Sequence, residues 1–145
     1  MVEESPFSYY QGSVIPTKYR DLFEKKAFAN LATIMPDGTP QVTPVWVNLD
    51  GNDVYINSAK GRLKDKNMRS REKVALSILD PENPYRYLQV RGRVVNVTES
   101  DADAHIDRLA KKYLEVDRYP FRQEGEVRVT YRIKPETVVG FGPKK

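Results

Sequence analysis

The chain has no cysteine and only one histidine, His105, among its 145 residues. Disulfides and thiolate chemistry are therefore excluded, and a dedicated zinc or transition-metal site is not expected. Residues 1–30 lack the apolar segment of a signal peptide, and no apolar run is long enough to span a membrane. We therefore expect a cytoplasmic protein without a membrane partner.

The sequence also lacks the short motifs of common catalytic sites. Because it has neither a Gly-Lys-Ser/Thr loop nor a Gly-x-Gly-x-x-Gly repeat, a nucleoside triphosphate is disfavoured as a ligand. No Ser-His-Asp, Cys-His or paired-carboxylate arrangement can be argued, and we interpret His105 as structural or solvated rather than catalytic. If the protein is an enzyme, its chemistry must come from a bound cofactor that the chain orients.

Apolar periodicity and turn residues predict more strands than helices. Strands are predicted over residues 28–35, 41–49, 54–58, 74–79, 87–98 and 126–133, with a further extension at 138–141. Helices are predicted after Pro16, within residues 60–73, and after a capping box at residues 98–101. Gly92 marks a bulge or a close backbone approach within the fifth strand.

Tight turns at residues 36–40 and 50–53 join the first three strands as hairpins, which favours an antiparallel sheet. The predicted fold class is mainly β (α+β). It is a six-stranded antiparallel barrel, or one of seven strands if residues 138–141 add to it, flanked by two or three helices. Residues 1–16 are predicted to form an arm, and residues 17–145 the folded domain.

The most informative segment runs from Lys60 to Lys73 and follows the third strand. It holds seven basic and two acidic residues, a local charge of +5 in a chain whose net charge is only +4. Asn57 and Ser58 precede it, and Gly61 lets the backbone approach a ligand closely. One interpretation is a site for a single terminal phosphate of a larger cofactor, and the other is a solvated basic helix.

Two further segments combine aromatic and basic residues. Around Tyr85 and Tyr87, either single-stranded nucleic acid or a flat tricyclic ring could stack, although an ordinary strand with exposed Arg explains the pattern equally. Residues 118–122 (Arg-Tyr-Pro-Phe-Arg) form either a rim over a cofactor ring or an anchor that pins a loop to the core.

Residues 30–46, Asn-Leu-Ala-Thr-Ile-x-x-x-Gly-x-Pro-Gln-Val-Thr-Pro-Val-Trp, resemble the first hairpin of the pyridoxamine 5'-phosphate oxidase-like split-barrel superfamily. The resemblance continues in order through residues 56–64, 80–87, 90–94, 110–113 and 117–122, and covers roughly residues 28–140. In this combination the chain is most similar to the branch of deazaflavin (coenzyme F-420)-dependent oxidoreductases.

The resemblance implies a six-stranded split β-barrel homodimer with two cofactors, coenzyme F-420 or FMN, in grooves at the subunit interface. By position, the cofactor phosphate would bind Arg62 and Lys64, with Lys60, Asn57 and Ser58 beside them. The ring would rest on the second strand at Thr43, Pro44, Val45 and Trp46, and Arg86 and Tyr87 would lie near it. Since the chain ends without the C-terminal extension of the vitamin-B6 oxidase, pyridoxamine phosphate is not the expected substrate.

The expected function is therefore hydride transfer between a deazaflavin or FMN and a small conjugated substrate. An FMN-dependent flavin reductase or oxidase is a second enzymatic interpretation. A non-enzymatic flavin- or haem-binding carrier on the same barrel and a nucleic-acid-binding barrel are the alternatives from other classes. The expected partners are a small-molecule substrate and a second copy of the chain, and not nucleic acid.

Overall fold

The computed structural model describes residues 5–144, in which antiparallel strands predominate. The strands are β1 (Phe7–Gly12), β2 (Ala29–Ile34), β3 (Pro40–Val45), β4 (Asn48–Asp50), β5 (Asp53–Ala59), β6 (Lys73–Asp80), β7 (Asn83–Thr98) and β8 (Arg128–Pro143). The helices are a 3₁₀ helix (Thr17–Phe23), α1 (Leu63–Ser70) and α2 (Ala102–Leu114). The predicted fold class, mainly antiparallel β with two or three helices, is confirmed.

The strands of this part of the chain form one sheet in the order β3-β2-β6-β7-β8-β5-β4, with β1 paired to β8. Residues 5–144 contain eight strands, so the predicted number of six was wrong. One additional strand, β1, lies inside the predicted arm and pairs with the end of β8 from Phe7↔Pro143 to Gly12↔Val138. Residues 1–4 of that arm lie outside the described residues.

The second additional strand arises because the predicted strand 41–49 is interrupted at Trp46 and Val47. Its first part, β3, pairs with β2, and its second part, β4, pairs with β5 at the opposite end of the sheet order. Val47 is fully buried at the break, where its N–H donates to the Tyr113 hydroxyl at 3.2 Å. A tertiary hydrogen bond thus replaces the ladder bond that a continuous strand would make.

The last two predicted strands form one continuous strand, β8, which pairs with β7 along most of its length. The register shifts between Arg91 and Gly92, and a Cβ added at Gly92 would lie 2.2 Å from the Lys134 carbonyl oxygen. The prediction that Gly92 marks a bulge or close approach is therefore confirmed. β7 and β8 can approach each other this closely because glycine has no side chain.

Helix α2 covers one side of the sheet, and Ile106, Leu109 and Tyr113 form a small core with Trp46 and Tyr119. The predicted capping box is absent, since the N-cap residue Asp101 has a φ of 61° and makes no side-chain cap. No helix among the described residues is long and apolar enough to cross a bilayer.

Candidate functional site

A cleft of about 160 Å³ opens between the break after β3, the end of β5, α2 and the loop that follows α2. Polar and cationic groups from β5, α1 and β8 line one part of it, and aromatic and apolar groups line the rest. The lining residues are Phe28, Pro44, Val45, Trp46, Asn57, Ser58, Arg62, Lys64, Ile106, Tyr119, Phe121 and Arg128.

The turn between β5 and α1 is held by a buried carboxylate. Gly61 has a φ of +91°, which favours glycine, and its N–H donates to Asp65 Oδ2 at 2.9 Å. Asp65 also accepts hydrogen bonds from Arg69 Nε at 2.9 Å and from the Tyr131 hydroxyl. Burial opposes its ionisation, but these hydrogen bonds outweigh burial and keep the pKa of Asp65 below its usual value. The turn therefore presents Arg62 and Lys64 from a fixed backbone.

Three cationic side chains face the cleft, and one of them lacks an anionic partner. Glu126 pairs with Arg128 at 2.8 Å and with Arg62 at 3.6 Å. Half-buried Lys64 has no hydrogen bond or ion pair with any residue in 5–144, and burial, together with the charges of Arg62 and Arg128, lowers its pKa. Positive charge thus exceeds negative charge here, so the site would favour an anion.

Two of the predicted site residues, Ser58 and Thr43, have buried hydroxyl groups without partners among the described residues. Ser58 lines the cleft, and its Oγ makes no hydrogen bond to any described residue. Thr43 Oγ1 is unpartnered in the same way, but Thr43 does not line the cleft. Because an unsatisfied buried hydroxyl is costly, Ser58 is a position where a ligand oxygen would be stabilising.

Asn57 connects the cationic part of the cleft to α2. Its Oδ1 accepts a hydrogen bond from Arg128 Nε at 2.9 Å, and its Nδ2 donates to the Ala102 carbonyl at 3.0 Å and lies 3.1 Å from His105 Nδ1. Arg128, only 5% exposed, also stacks over the Tyr119 ring. Its guanidinium is therefore held from three sides at the edge of the cleft.

The aromatic wall is built around Trp46. Its ring stacks on Tyr113 with a centroid distance of 5.1 Å and meets the edge of Tyr119 at 5.9 Å. Tyr119 and Phe121 come from the predicted aromatic-basic loop, and both line the cleft. Arg122 of the same loop pairs with Asp103 and Asp107 on α2, so the loop is both rim and anchor.

The structure brings together seven of the twelve predicted site residues in this cleft, namely Pro44, Val45, Trp46, Asn57, Ser58, Arg62 and Lys64. The others lie apart from it. Lys60 pairs with Glu99 at 3.1 Å, Gly61 shapes the turn, and Thr43 lies on β3. Arg86 is bound by Asp21 and Asp80, and Tyr87 stacks on Phe141.

Sequence reasoning missed Phe28, Ile106 and Arg128 as cleft residues. The alternation over residues 126–133 predicted a strand that includes Arg128, but it gave no signal of what this strand pairs with. In the structure, β8 pairs with β5 so that Arg128 lies opposite Ala59 and Thr130 opposite Asn57. Only this pairing brings a cation near Asn57, because the two residues are 71 positions apart.

Comparison with protein families matches residues 15–141 to the model of the pyridoxamine 5'-phosphate oxidase family. No curated protein matches the chain significantly. A solved structure named F420 reductase is 33% identical, with a TM-score of 0.75, and the match covers 86% of this chain and 98% of that one.

More distant structures share the fold. A candidate pyridoxamine 5'-phosphate oxidase from Listeria innocua is 19% identical with a TM-score of 0.64, covering 83% of this chain and 93% of its own. A nimC/nimA family protein from Clostridium acetobutylicum is 21% identical with a TM-score of 0.60, covering 84% of each chain. At these identities the likeness concerns the fold alone.

Proposed function

Because the chain belongs to the pyridoxamine 5'-phosphate oxidase family, we propose that it is an oxidoreductase that uses a bound deazaflavin (coenzyme F-420) or FMN. Within this proposal, the cofactor exchanges hydride with a small conjugated substrate. The family includes oxidoreductases, and its model matches residues 15–141 of this chain.

The observation that carries the proposal is the Lys64 ammonium, which has no partner within residues 5–144 and lies in the cleft with Arg62 and Arg128. A phosphate placed here would receive charge-assisted hydrogen bonds from groups that otherwise repel one another. The unpartnered Ser58 hydroxyl offers a further donor on the same side of the cleft. The residues present therefore fit the phosphate of either cofactor.

The remaining cleft residues suit a planar ring. Pro44, Val45 and Trp46 provide an apolar wall, and Tyr119 and Phe121 add aromatic surface next to Trp46. Aromatic side chains stabilise flat conjugated groups through offset or edge contacts. The chain would thus hold the phosphate at the cationic end and the ring at the apolar end.

The bound cofactor would supply the hydride chemistry. The residues that line the cleft include no carboxylate and no histidine. Their one tyrosine is Tyr119, whose ring lies under Arg128. The chain's own contribution is to bind, to orient and to exclude water around the reacting ring.

We extend the proposal to a homodimer in which each cofactor lies between two copies of the chain. One row of cross-strand neighbours runs over β2, β6, β7 and β8 and lines an open depression: Ala32, Ala75, Arg91 and Thr137. All four are partly buried or exposed, so this face is available to a second copy of the chain. Tyr87 lies on the same face of β7 as Arg91. The resemblance places Tyr87 near the cofactor ring, and in this proposal it would reach the ring of a cofactor bound by the other copy of the chain.

The likeness to a structure named F420 reductase at 33% identity supports the deazaflavin over FMN. Titrating apoprotein with each cofactor, followed by cofactor fluorescence, measures the two affinities directly. We expect the deazaflavin to bind more tightly. If neither cofactor binds, the proposed function is wrong.

A pair of lysine variants tests the phosphate site. Lys64→Gln removes the unpaired cation of the cleft, whereas Lys66→Gln removes an exposed cation of the same helix outside it. We expect Lys64→Gln to weaken cofactor binding by about 1.5–3 kcal/mol and Lys66→Gln to leave it unchanged. Equal affinities of the two variants would contradict the assignment.

A turnover assay separates the enzyme from the carrier that the sequence also allows. The protein is supplied with reduced deazaflavin or FMN and a panel of quinones, and oxidation of the cofactor is followed by absorbance. An enzyme accelerates oxidation with at least one quinone over the cofactor alone. A carrier binds the cofactor and leaves the rate unchanged across the panel.

A further inference from the structure

A second cavity, of about 420 Å³, borders α2 on a face different from the one that meets the cleft. The 3₁₀ helix, β4 and α2 enclose it together, and it shares no lining residue with the cleft. Its volume lies within the range of about 300–1,000 Å³ that small-molecule sites occupy. We call it the α2 cavity.

The apolar part of the α2 cavity comes from Phe23, Leu49 and Leu109, one from each enclosing element. Phe23 and Leu109 are buried, and Leu49 packs against the main core. A ligand body placed against these side chains would lose contact with water at little cost to the protein, because the surface already exists. The apolar part therefore fits a compact aromatic or branched aliphatic group.

The polar part carries more positive than negative charge. Arg20, Arg108 and Lys112 line it together with a single carboxylate, Glu24. Burial lowers the pKa of Lys112 to about 8 against the opposing charge of Glu24, so most of its ammonium remains protonated at neutral pH. Lys112 uses two of its donors on the carbonyl oxygens of Phe23 and Val47.

Among the three cations of the cavity, Arg108 has no partner in residues 5–144; the Glu24 carboxylate also makes no hydrogen bond or ion pair there. Arg20 donates one hydrogen bond to a backbone carbonyl. Of the neutral polar groups, His105 Nε2 and Asn48 Oδ1 satisfy each other at 2.7 Å. Three cations thus face one carboxylate, and the forked guanidinium of Arg108 has donors left for a ligand carboxylate.

We propose that the α2 cavity is a second binding site, which takes a small organic carboxylate with an aromatic or branched aliphatic body. The carboxylate binds Arg108, with Arg20 and Lys112 contributing charge, and the body lies against Phe23, Leu49 and Leu109. The proposal does not depend on the cofactor site, since the two sites have no lining residue in common.

Three carboxylates of different body shape serve as probes: benzoate, cyclohexanecarboxylate and isovalerate, each paired with its uncharged amide. Binding to the full chain is measured by protein NMR titration, which also locates the site. We expect at least one carboxylate to bind, to exceed its own amide, and to shift the backbone amide signals of Leu49, Arg108 and Leu109.

Arg108→Gln removes the free cation, and Lys111→Gln removes a neighbouring exposed cation of α2 that does not line the cavity. Both positions are exposed, so neither substitution is expected to prevent folding. Arg108→Gln should weaken the bound carboxylate about tenfold, the effect of losing one charge-assisted hydrogen bond, and Lys111→Gln should not.

Four results would overturn the proposal. These are the failure of all three carboxylates to bind, amides that bind as well as the acids, equal affinities of the two variants, and signal changes confined to Ser58, Arg62 and Lys64. The last result would assign the carboxylate to the cleft, and it would leave the proposed cofactor function standing.

Discussion

The imidazole Nδ1 of His105 lies 3.1 Å from the amide Nδ2 of Asn57, so a buried side chain of α2 orients a residue of the cleft. The other ring nitrogen, Nε2, lies 2.7 Å from Oδ1 of Asn48. An acceptor at Nδ1 and a donor at Nε2 describe the neutral ring. Burial, reinforced by the charges of Arg108, Arg128 and Lys112, lowers the pKa of His105 to about 4. The interpretation of His105 as a structural residue agrees with these contacts.

Because His105 is neutral in the folded chain, we expect the free energy of unfolding to depend on pH. Between pH 6.5, the ordinary pKa of the ring, and about pH 4, the unfolded chain binds a proton at His105 that the folded chain does not. The free energy of unfolding should therefore fall by about 3 kcal/mol as the pH drops through this window. Urea unfolding of the wild-type chain and of His105→Gln, compared at each pH, isolates the histidine from the carboxylates. Parallel profiles of the two proteins would show that His105 does not cause the decline.

Replacing the Asp65 carboxylate should destabilise the folded chain. Asp65→Asn would disrupt the hydrogen bonds from Gly61, Arg69 and Tyr131, at a cost of about 2–4 kcal/mol in the free energy of unfolding. Asp37→Asn is the matched control, since Asp37 lies in an exposed turn and accepts hydrogen bonds only from Thr39 among the described residues. Chemical denaturation measures the difference. Similar losses in both variants would mean that Asp65 does not hold the turn.

Substituting Gly92 should have a steric cost that substituting Gly12, another strand glycine, does not have. In Gly92→Ala the new Cβ would lie 2.2 Å from the Lys134 carbonyl oxygen, which belongs to a paired backbone. In Gly12→Ala the nearest atom, at 2.3 Å, is the Tyr10 hydroxyl, which a side-chain rotation can move away. We expect Gly92→Ala to cost more than about 2 kcal/mol and Gly12→Ala less than about 1 kcal/mol. Thermal unfolding of the two variants tests the order, and a reversed order would contradict it.

Trp46 is the one tryptophan of the chain and lines the cleft, so its fluorescence should report cofactor binding. A deazaflavin or flavin ring bound against Pro44–Trp46 should quench its fluorescence, because a conjugated ring in contact with indole accepts its excitation energy. Inorganic phosphate, which occupies only the cationic end, should leave the signal unchanged while competing with the cofactor. Trp46→Phe should abolish the signal and retain binding. Cofactor binding without quenching in the wild-type chain would place the ring away from β3.

Features that depend on neighbouring residues were predictable from the sequence. The Asp-Gly turn at residues 36–40 does join β2 to β3, and the basic segment does begin at the end of β5 and continue into α1. Both follow from backbone preferences and apolar periodicity over a few positions. For the same reason, Asn57, Ser58, Arg62 and Lys64 could be grouped from their positions in the sequence.

Features that depend on strand pairing could not be predicted in this way. The segment at residues 7–12 carries no strong strand signal, yet it pairs with β8, more than a hundred positions later. The break between β3 and β4 depends on Tyr113, whose hydroxyl lies 66 positions away from Val47. Sequence periodicity reports which face of a strand is apolar, and it does not report which distant backbone will satisfy its hydrogen bonds.

The amino-acid sequence by itself determined the antiparallel hairpins and the concentration of positive charge after β5, since both arise within short stretches of chain. Only the tertiary structure decided that Arg128 joins that charge, that Lys64 makes no ion pair within residues 5–144, and that α2 borders both the cleft and a second cavity. The physical reason is that the net charge around a site and the walls of a cavity depend on all residues that are close in space. Folding brings most of these residues together from remote parts of the chain.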